Sequence, residues 1–163
     1  ISTGHVPFNT PDSRFPIPDQ KETYMADYKK PLPMPDPVTQ PFWDSTKAHA
    51  MKIQRCNDTG KFFFYPRGLS PYTLSDNISW EPVSGKGTLH AFTIVQNQRQ
   101  PGFAEEVPYV VAMVELDEGV RMMTNLIGVE ADPDHVKIGM PVEVVYEDVS
   151  EEITLPKFKP ATP

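Results

Sequence analysis

Cys56 is the only thiol in the chain, and thiol chemistry is the first reactivity to consider because a thiolate is a strong nucleophile. The simplest reading of a lone cysteine outside any catalytic turn is a buried or half-buried thiol. Four histidines, His5, His49, His90 and His135, stand far apart, with no pair at the i, i+4 spacing that sets two imidazoles on one helix face. Ser70, Ser75, Ser79 and Ser84 lie in no Gly-x-Ser-x-Gly elbow, the strained turn that presents a serine hydroxyl to its base. The acidic run Glu147, Asp148, Glu151 and Glu152 reads as a solvated turn and strand edge. These residue types, in this pattern, point away from independent catalysis. What remains is binding, and the residues suited to it are aromatic: Phe42 and Trp43, then the run Phe62, Phe63, Phe64 and Tyr65. Exposed aromatic pairs anchor interfaces because they bury large areas.

The elements that must position these residues are limited by size and composition. A chain of 163 residues with 39% apolar content can bury one main core and a small satellite. Its net charge of -7 opposes a phosphate backbone, since nucleic-acid affinity comes mostly from Lys and Arg releasing counterions. No nucleic acid is expected as a partner. A single cysteine permits no internal disulfide and fits a reducing compartment, so a cytoplasmic location is expected. No apolar run reaches the roughly 18 residues of a membrane span, and residues 1–10 lack the blocks of a signal peptide. The expectation is a protein neither exported nor membrane-spanning. The first residue is Ile rather than Met, so the natural start can lie upstream.

Pro7, Pro11, Pro16, Pro18, Pro31, Pro33, Pro35, Pro37 and Pro41 crowd nine of the 19 prolines into the first quarter of the chain. Each fixes φ and removes a donor, so residues 1–40 are expected to form an extended proline-rich arm. Phe8, Phe15, Tyr24, Met25, Tyr28 and Met34 suggest an arm that wraps a partner or its own domain rather than a plain tail. Residues 41–51 read as a short helix with proline at its start and Asp44 in its first turn. Strands over 51–56 and 61–65 are joined by Asn57-Asp58-Thr59-Gly60, a turn-forming sequence. Residues 66–77 read as loop. Five strands follow, at 87–95, 109–116, 120–129, 141–148 and 152–158, with a tight turn at Asp117-Glu118-Gly119 and a short helical turn at 131–135. The fold class is mainly β, a five-stranded OB-fold barrel over 80–163 preceded by a helix and hairpin over 41–79.

At this level of detail a family becomes recognisable. Pro41-Phe42-Trp43, Gln54-Arg55-Cys56, Val83-Ser84-Gly85-Lys86-Gly87-Thr88, Pro108-Tyr109-Val110-Val111-Ala112 and Leu116-Asp117-Glu118-Gly119 come in an order and spacing that resembles the DUF35 family. The likeness continues through Met123-Thr124-Asn125-Leu126, Ile138-Gly139-Met140-Pro141-Val142 and Leu155-Pro156-Lys157-Phe158. DUF35 proteins are zinc-ribbon OB-fold proteins associated with acyl-CoA enzymes. The resemblance implies a non-catalytic accessory subunit working beside a thiolase-superfamily catalytic subunit: a thiolase, an acyltransferase or a thiolase-like aldolase. A hot-dog-fold enoyl-CoA hydratase is the alternative partner, and an OB-fold binding single-stranded nucleic acid is a second alternative, disfavoured by the acidic charge.

The chain departs from the family where the ribbon holds its metal. Two cysteine pairs would complete a tetrahedral zinc site, but here the corresponding positions read Cys56 with Thr59 and Ser70 with Thr73. Hydroxyls are poor zinc ligands, so no zinc and no prosthetic group are expected. Without the ion, packing of Phe62, Phe63, Phe64 and Tyr65 with Leu69, Tyr72, Leu74 and Trp80 is the expected substitute. In a strand, Phe62 and Phe64 face one side while Phe63 and Tyr65 face the other. Phe42, Trp43 and that strand are the expected partner interface. For acyl-CoA as ligand of the complex, the family likeness directs attention to Lys86, Arg99, Phe103 and Arg121, with the loop 96–106 as first choice for a contact. Gly85 and Gly87 would let backbone approach a ligand or mark a bend in the first barrel strand.

Overall fold

A computed structural model describes residues 28–162, so the arm expected over residues 1–40 falls largely outside the described residues. One helix, α1 (Gln40–Lys47), leads into strands β1 (Lys52–Cys56), β2 (Phe62–Phe63), β3 (Ile78–Pro82), β4 (Lys86–Val95), β5 (Tyr109–Leu116), β6 (Arg121–Leu126), β7 (Pro141–Asp148) and β8 (Thr154–Pro160). The first three form an antiparallel sheet in the order β2-β1-β3, and the other five close a barrel in the order β4-β5-β6-β8-β7. That order is the Greek-key closure of an OB-fold. Strand β3 is not among the strands expected from sequence; it pairs along the whole of β1, from Lys52↔Pro82 to Cys56↔Ile78. Residues 131–135 form the expected single turn, with the Val136 amide donating to the Asp132 carbonyl at 3.1 Å.

The barrel follows from strand periodicity. In β5 the side chains alternate strictly, with Val110, Ala112, Val114 and Leu116 buried and their neighbours partly exposed. The β5–β6 turn closes with Gly119 at φ 82°, where its amide donates to the Leu116 carbonyl. A bulge between Leu89 and Ala91 lets the ten-residue β4 bend round to pair with both β5 and β7. Glycines 85 and 87 prove to be packing residues: a Cβ on Gly87 would sit 2.3 Å from the Glu115 carbonyl oxygen, and one on Gly85 2.4 Å from Val144 Cγ1. The close approach they permit is to the chain's own strands.

Helix α1 carries Pro41 in its first turn, where the missing N–H costs nothing. Asp44 lies one turn further in than expected and accepts from Gln40 Nε2 at 2.8 Å. The helix buries Phe42, Ser45 and Thr46, and it ends before His49, whose φ is 53°. Phe42, Met51 and Ile53 belong to the same buried cluster as Leu89, Val114, Val142 and Phe158, so helix, small sheet and barrel share one core. Polar contacts fasten the same junction. The Met51 amide donates to Tyr146 Oη at 2.9 Å, and His49 stacks on the Tyr146 ring while its Nε2 lies 2.9 Å from Asp148 Oδ1.

Candidate functional site

The four positions that the family likeness sets at a ribbon's metal site, Cys56, Thr59, Ser70 and Thr73, do converge. Cys56 and Ser70 are fully buried, Cys56 Sγ lies 3.7 Å from Thr73 Oγ1, and the hydroxyls of Ser70, Thr59 and Thr73 all turn to the sulfur. Hydrogen bonds from Ser70 and then Thr59 bring the thiol down to about 7, against the opposing effect of burial. One thiol among three hydroxyls does not fit a structural zinc ion, which takes Cys, His or carboxylate donors.

The aromatic cluster expected from sequence forms only in part, and polar contacts fasten the rest of the ribbon. Trp80 packs against the core, and Tyr72 sits edge-on to Phe63 at 6.3 Å and donates its hydroxyl to the Phe62 carbonyl at 2.8 Å, whereas Leu69 and Leu74 are exposed. The Asp58 carboxylate accepts from Thr73 Oγ1 at 2.9 Å, from Asn77 Nδ2 at 2.6 Å and from the Ser75 hydroxyl. These donors, Ser75 first, hold its carboxyl below the usual carboxylate value. A second staple is Gln54, buried to 3% exposure: its Nε2 donates to the Arg67 carbonyl at 2.9 Å while its Oε1 accepts from the Arg67 amide at 2.7 Å. One side chain thus satisfies both backbone groups of a loop residue.

The expected interface aromatics separate into two groups. Phe42 at 5% exposure and Phe63 at 4% are packed into the chain's own core and present little surface. The strict alternation expected over 62–65 fails because β2 ends at Phe63. Beyond it Phe64 turns to pack on Phe42, with ring centroids 5.3 Å apart, and Tyr65 packs on Phe64 at 4.4 Å. Trp43, edge-on to Phe42 at 5.1 Å, completes a row of rings that faces the barrel.

Opposite that row lie β6 and β8, and between them runs an apolar groove of about 310 Å³. Trp43, Phe64 and Tyr65 form one wall; Met122, Met123, Leu155 and Pro156 form the other. Tyr65 and Met123, each more than half exposed, stand at its lip. Along the barrel wall of the groove, β6 and β8 run parallel and share one ladder pair, Leu126↔Phe158. Pro156 has no N–H to give, and its carbonyl is taken by Thr124 Oγ1 at 2.9 Å. The barrel half of this groove was not foreseen from sequence.

The four candidate CoA-binding residues, Lys86, Arg99, Phe103 and Arg121, are not gathered at one place. Lys86 starts β4 and Arg121 starts β6, both beside the β5–β6 turn. Arg99 and Phe103 belong to the loop after β4, at the opposite end of a ten-residue strand roughly 30 Å long. Arg121 is further engaged by Glu115, with Nε 2.7 Å from Oε2. Phe103 is covered by the chain itself: Lys30 Nζ lies 5.1 Å from its ring centroid and pairs with Glu106 at 2.5 Å. The start of the described chain, Tyr28 to Lys30, therefore lies on its own loop. A polar basin holds Arg121 together with Arg67, a pairing that sequence reasoning missed. His90 and His135 sit apart on the surface, where Asp132, 2.7 Å from His135 Nδ1, raises the imidazole above its usual value.

A closed OB-fold barrel preceded by a hairpin ribbon, with one thiol and three hydroxyls brought together in it, defines the structural class of this chain. Comparison with known proteins gives that class its family. Residues 80–147 match the family described as ChsH2, C-terminal OB-fold domain. A DUF35 domain-containing scaffold protein of Methanothermobacter thermautotrophicus is 37% identical over 99 residues, covering 60% of this chain and 72% of that protein. A chain of the solved structure described as Ltp2-ChsH2(DUF35) aldolase superposes with a TM-score of 0.72 at 33% identity, over 80% of this chain and all of that one. The chain belongs to the DUF35 family. A probable enoyl-CoA hydratase alpha subunit of Thermomonospora curvata is 35% identical over 147 residues, covering 88% of this chain, which spans only 45% of that subunit. Among the described residues no helix is long and apolar enough to cross a membrane, which leaves strand-built spans unaddressed.

Proposed function

We propose that this protein is a non-catalytic accessory subunit of an acyl-CoA enzyme, docking a thiolase-superfamily catalytic subunit through the groove between α1 and the β6–β8 seam. The observation that carries the reading is the row Trp43, Phe64 and Tyr65 facing Met123 and Leu155, an aromatic and aliphatic cleft with an exposed lip. The likeness to a chain of a DUF35-containing aldolase structure supports the choice of partner. In this assembly the partner supplies the nucleophile and the base. This chain stabilises it and lends a wall to its acyl-CoA site, with Lys86 and Arg121 as the cations that remain near one another. No prosthetic group is needed, and the location is cytoplasmic.

A second reading pairs the same groove with a hot-dog-fold enoyl-CoA hydratase subunit, favoured by the hydratase name of a 35% identical relative. One experiment separates the two. The chain is co-expressed with thiolase-type and hydratase-type subunits from the same genome, and the material it retains is assayed for carbon-carbon cleavage and for hydration of acyl-CoA substrates. Retention of a cleaving enzyme by the wild type, lost on combining Tyr65→Asp with Met123→Asp, is the expected result. A chain that stays monomeric beside every candidate refutes the proposal, and retention of a hydratase replaces the partner.

A further inference from the structure

Two segments of the ribbon need a crosslink if the small sheet is to keep its shape: the β1–β2 turn, 56–60, and the long loop 66–77. In a four-cysteine ribbon the ion supplies it, because each segment contributes two thiolates to one centre. Here the thiolate count is one, and the loop still closes tightly. The Ser70 amide donates to the Ser75 carbonyl at 2.8 Å and the Leu74 amide to the Ser70 carbonyl at 2.9 Å, with Leu74 held at φ 59°. These bonds close the loop on itself, and other groups must link it to the turn.

Asp58 stands at the required place. It sits in the β1–β2 turn, and its carboxylate collects Thr73, Ser75 and Asn77, three donors spread along the far segment. Asn57 reinforces the bridge, its amide donating to the Asn77 carbonyl at 3.0 Å and its Oδ1 accepting from Ser79 Oγ at 3.0 Å. Hydrogen bonds to an ionised acceptor are roughly twice as strong as neutral ones, so one anion with three donors makes a real crosslink. We infer that the Asp58 carboxylate takes over the bridging role of a zinc ion, and that the ribbon closes as a metal-independent clamp. The inference does not depend on the proposed partner. It accounts for how the loop closes with Thr59, Ser70 and Thr73 beside a single thiol: Ser70 and Thr59 hydrogen-bond the sulfur, Thr73 donates its hydroxyl to Asp58, and the carboxylate carries the link.

Three measurements on the full chain test it. Purified protein, exposed to excess zinc and desalted, is analysed for metal; well under one zinc per chain is expected, and one tightly held zinc overturns the inference. Thermal unfolding with and without a chelator is expected to coincide, and a lowered midpoint with chelator overturns it. Amide exchange over 57–77 is expected to quicken by about tenfold in Asp58→Asn while β5 stays protected. Should that variant fail to fold, Thr73→Val and Asn77→Ala each remove one donor, and each is expected to quicken the same amides by a smaller step. Unchanged exchange in all three variants refutes the clamp.

Discussion

Replacing Gln54 by glutamate exchanges one amide nitrogen for an oxygen at nearly constant volume. The oxygen that accepts from the Arg67 amide survives, but the position that donated to the Arg67 carbonyl now holds a second acceptor 2.9 Å away. At 3% exposure the new carboxylate is also taken out of water. The variant can escape both penalties by staying protonated, because a carboxyl O–H restores the lost donor. That escape sets a ceiling. Holding a carboxyl neutral at pH 7 against its ordinary value near 4.3 costs about 3.7 kcal/mol, and at pH 5 only about 1 kcal/mol. Burial raises the folded-state value of such a carboxyl, so the destabilisation is present at high pH and fades as pH falls towards the unfolded value. Urea unfolding of both proteins at the two pH values reads this directly. With a slope of about 2 kcal/mol/M, the expected loss in midpoint is about 1.5 to 2 M at pH 7 and about 0.5 M at pH 5. Gln54→Ala, which loses both bonds and has no proton to gain, is expected to cost about 2 kcal/mol at either pH. Equal penalties for Gln54→Glu at both pH values, or none at pH 7, would refute the two-bond staple.

Two glycine substitutions distinguish close packing from backbone conformation. Gly87→Ala drives a Cβ to within 2.3 Å of the Glu115 carbonyl oxygen and is expected to cost about 3 kcal/mol, while Gly119→Ala meets open space and pays only for φ 82°, about 1 kcal/mol, in thermal unfolding. Asp132 is expected to keep His135 protonated above the ordinary 6.5: the gain in stability is present below that pH and is lost as pH rises through the folded-state value. Titration followed by NMR should show the His135 midpoint falling in Asp132→Asn, and an unmoved midpoint would remove the pairing.

The barrel was legible because its signal is local. Alternation in β5 and the glycine of the β5–β6 turn each occupy a few consecutive residues, and the strands followed from them. Strand β3 was missed because Ile78-Ser79-Trp80-Glu81-Pro82 follows a stretch rich in Ser, Asp and Asn and ends in proline, so only its pairing with β1 makes it a strand. The aromatic wall of the groove could be read from Trp43 to Tyr65. Its other wall could not, since Met122–Asn125 and Leu155–Lys157 meet only through the parallel alignment of β6 with β8. The candidate CoA-binding residues are scattered for the same reason: a sequence names the residues of its loops without saying which loops share an end of the barrel. The ribbon's substitution for metal was sought in apolar packing, whereas Asp58 and Gln54 solve it with hydrogen bonds whose partners lie 13 or more residues away.

Phe42, Met51 and Ile53 are lodged among Leu89, Val142 and Phe158, which makes the ribbon and its helix part of the barrel's wall. Cutting the chain after residue 82 would therefore uncover apolar surface on the barrel, so helix, small sheet and barrel form a single cooperative unit rather than two separable modules.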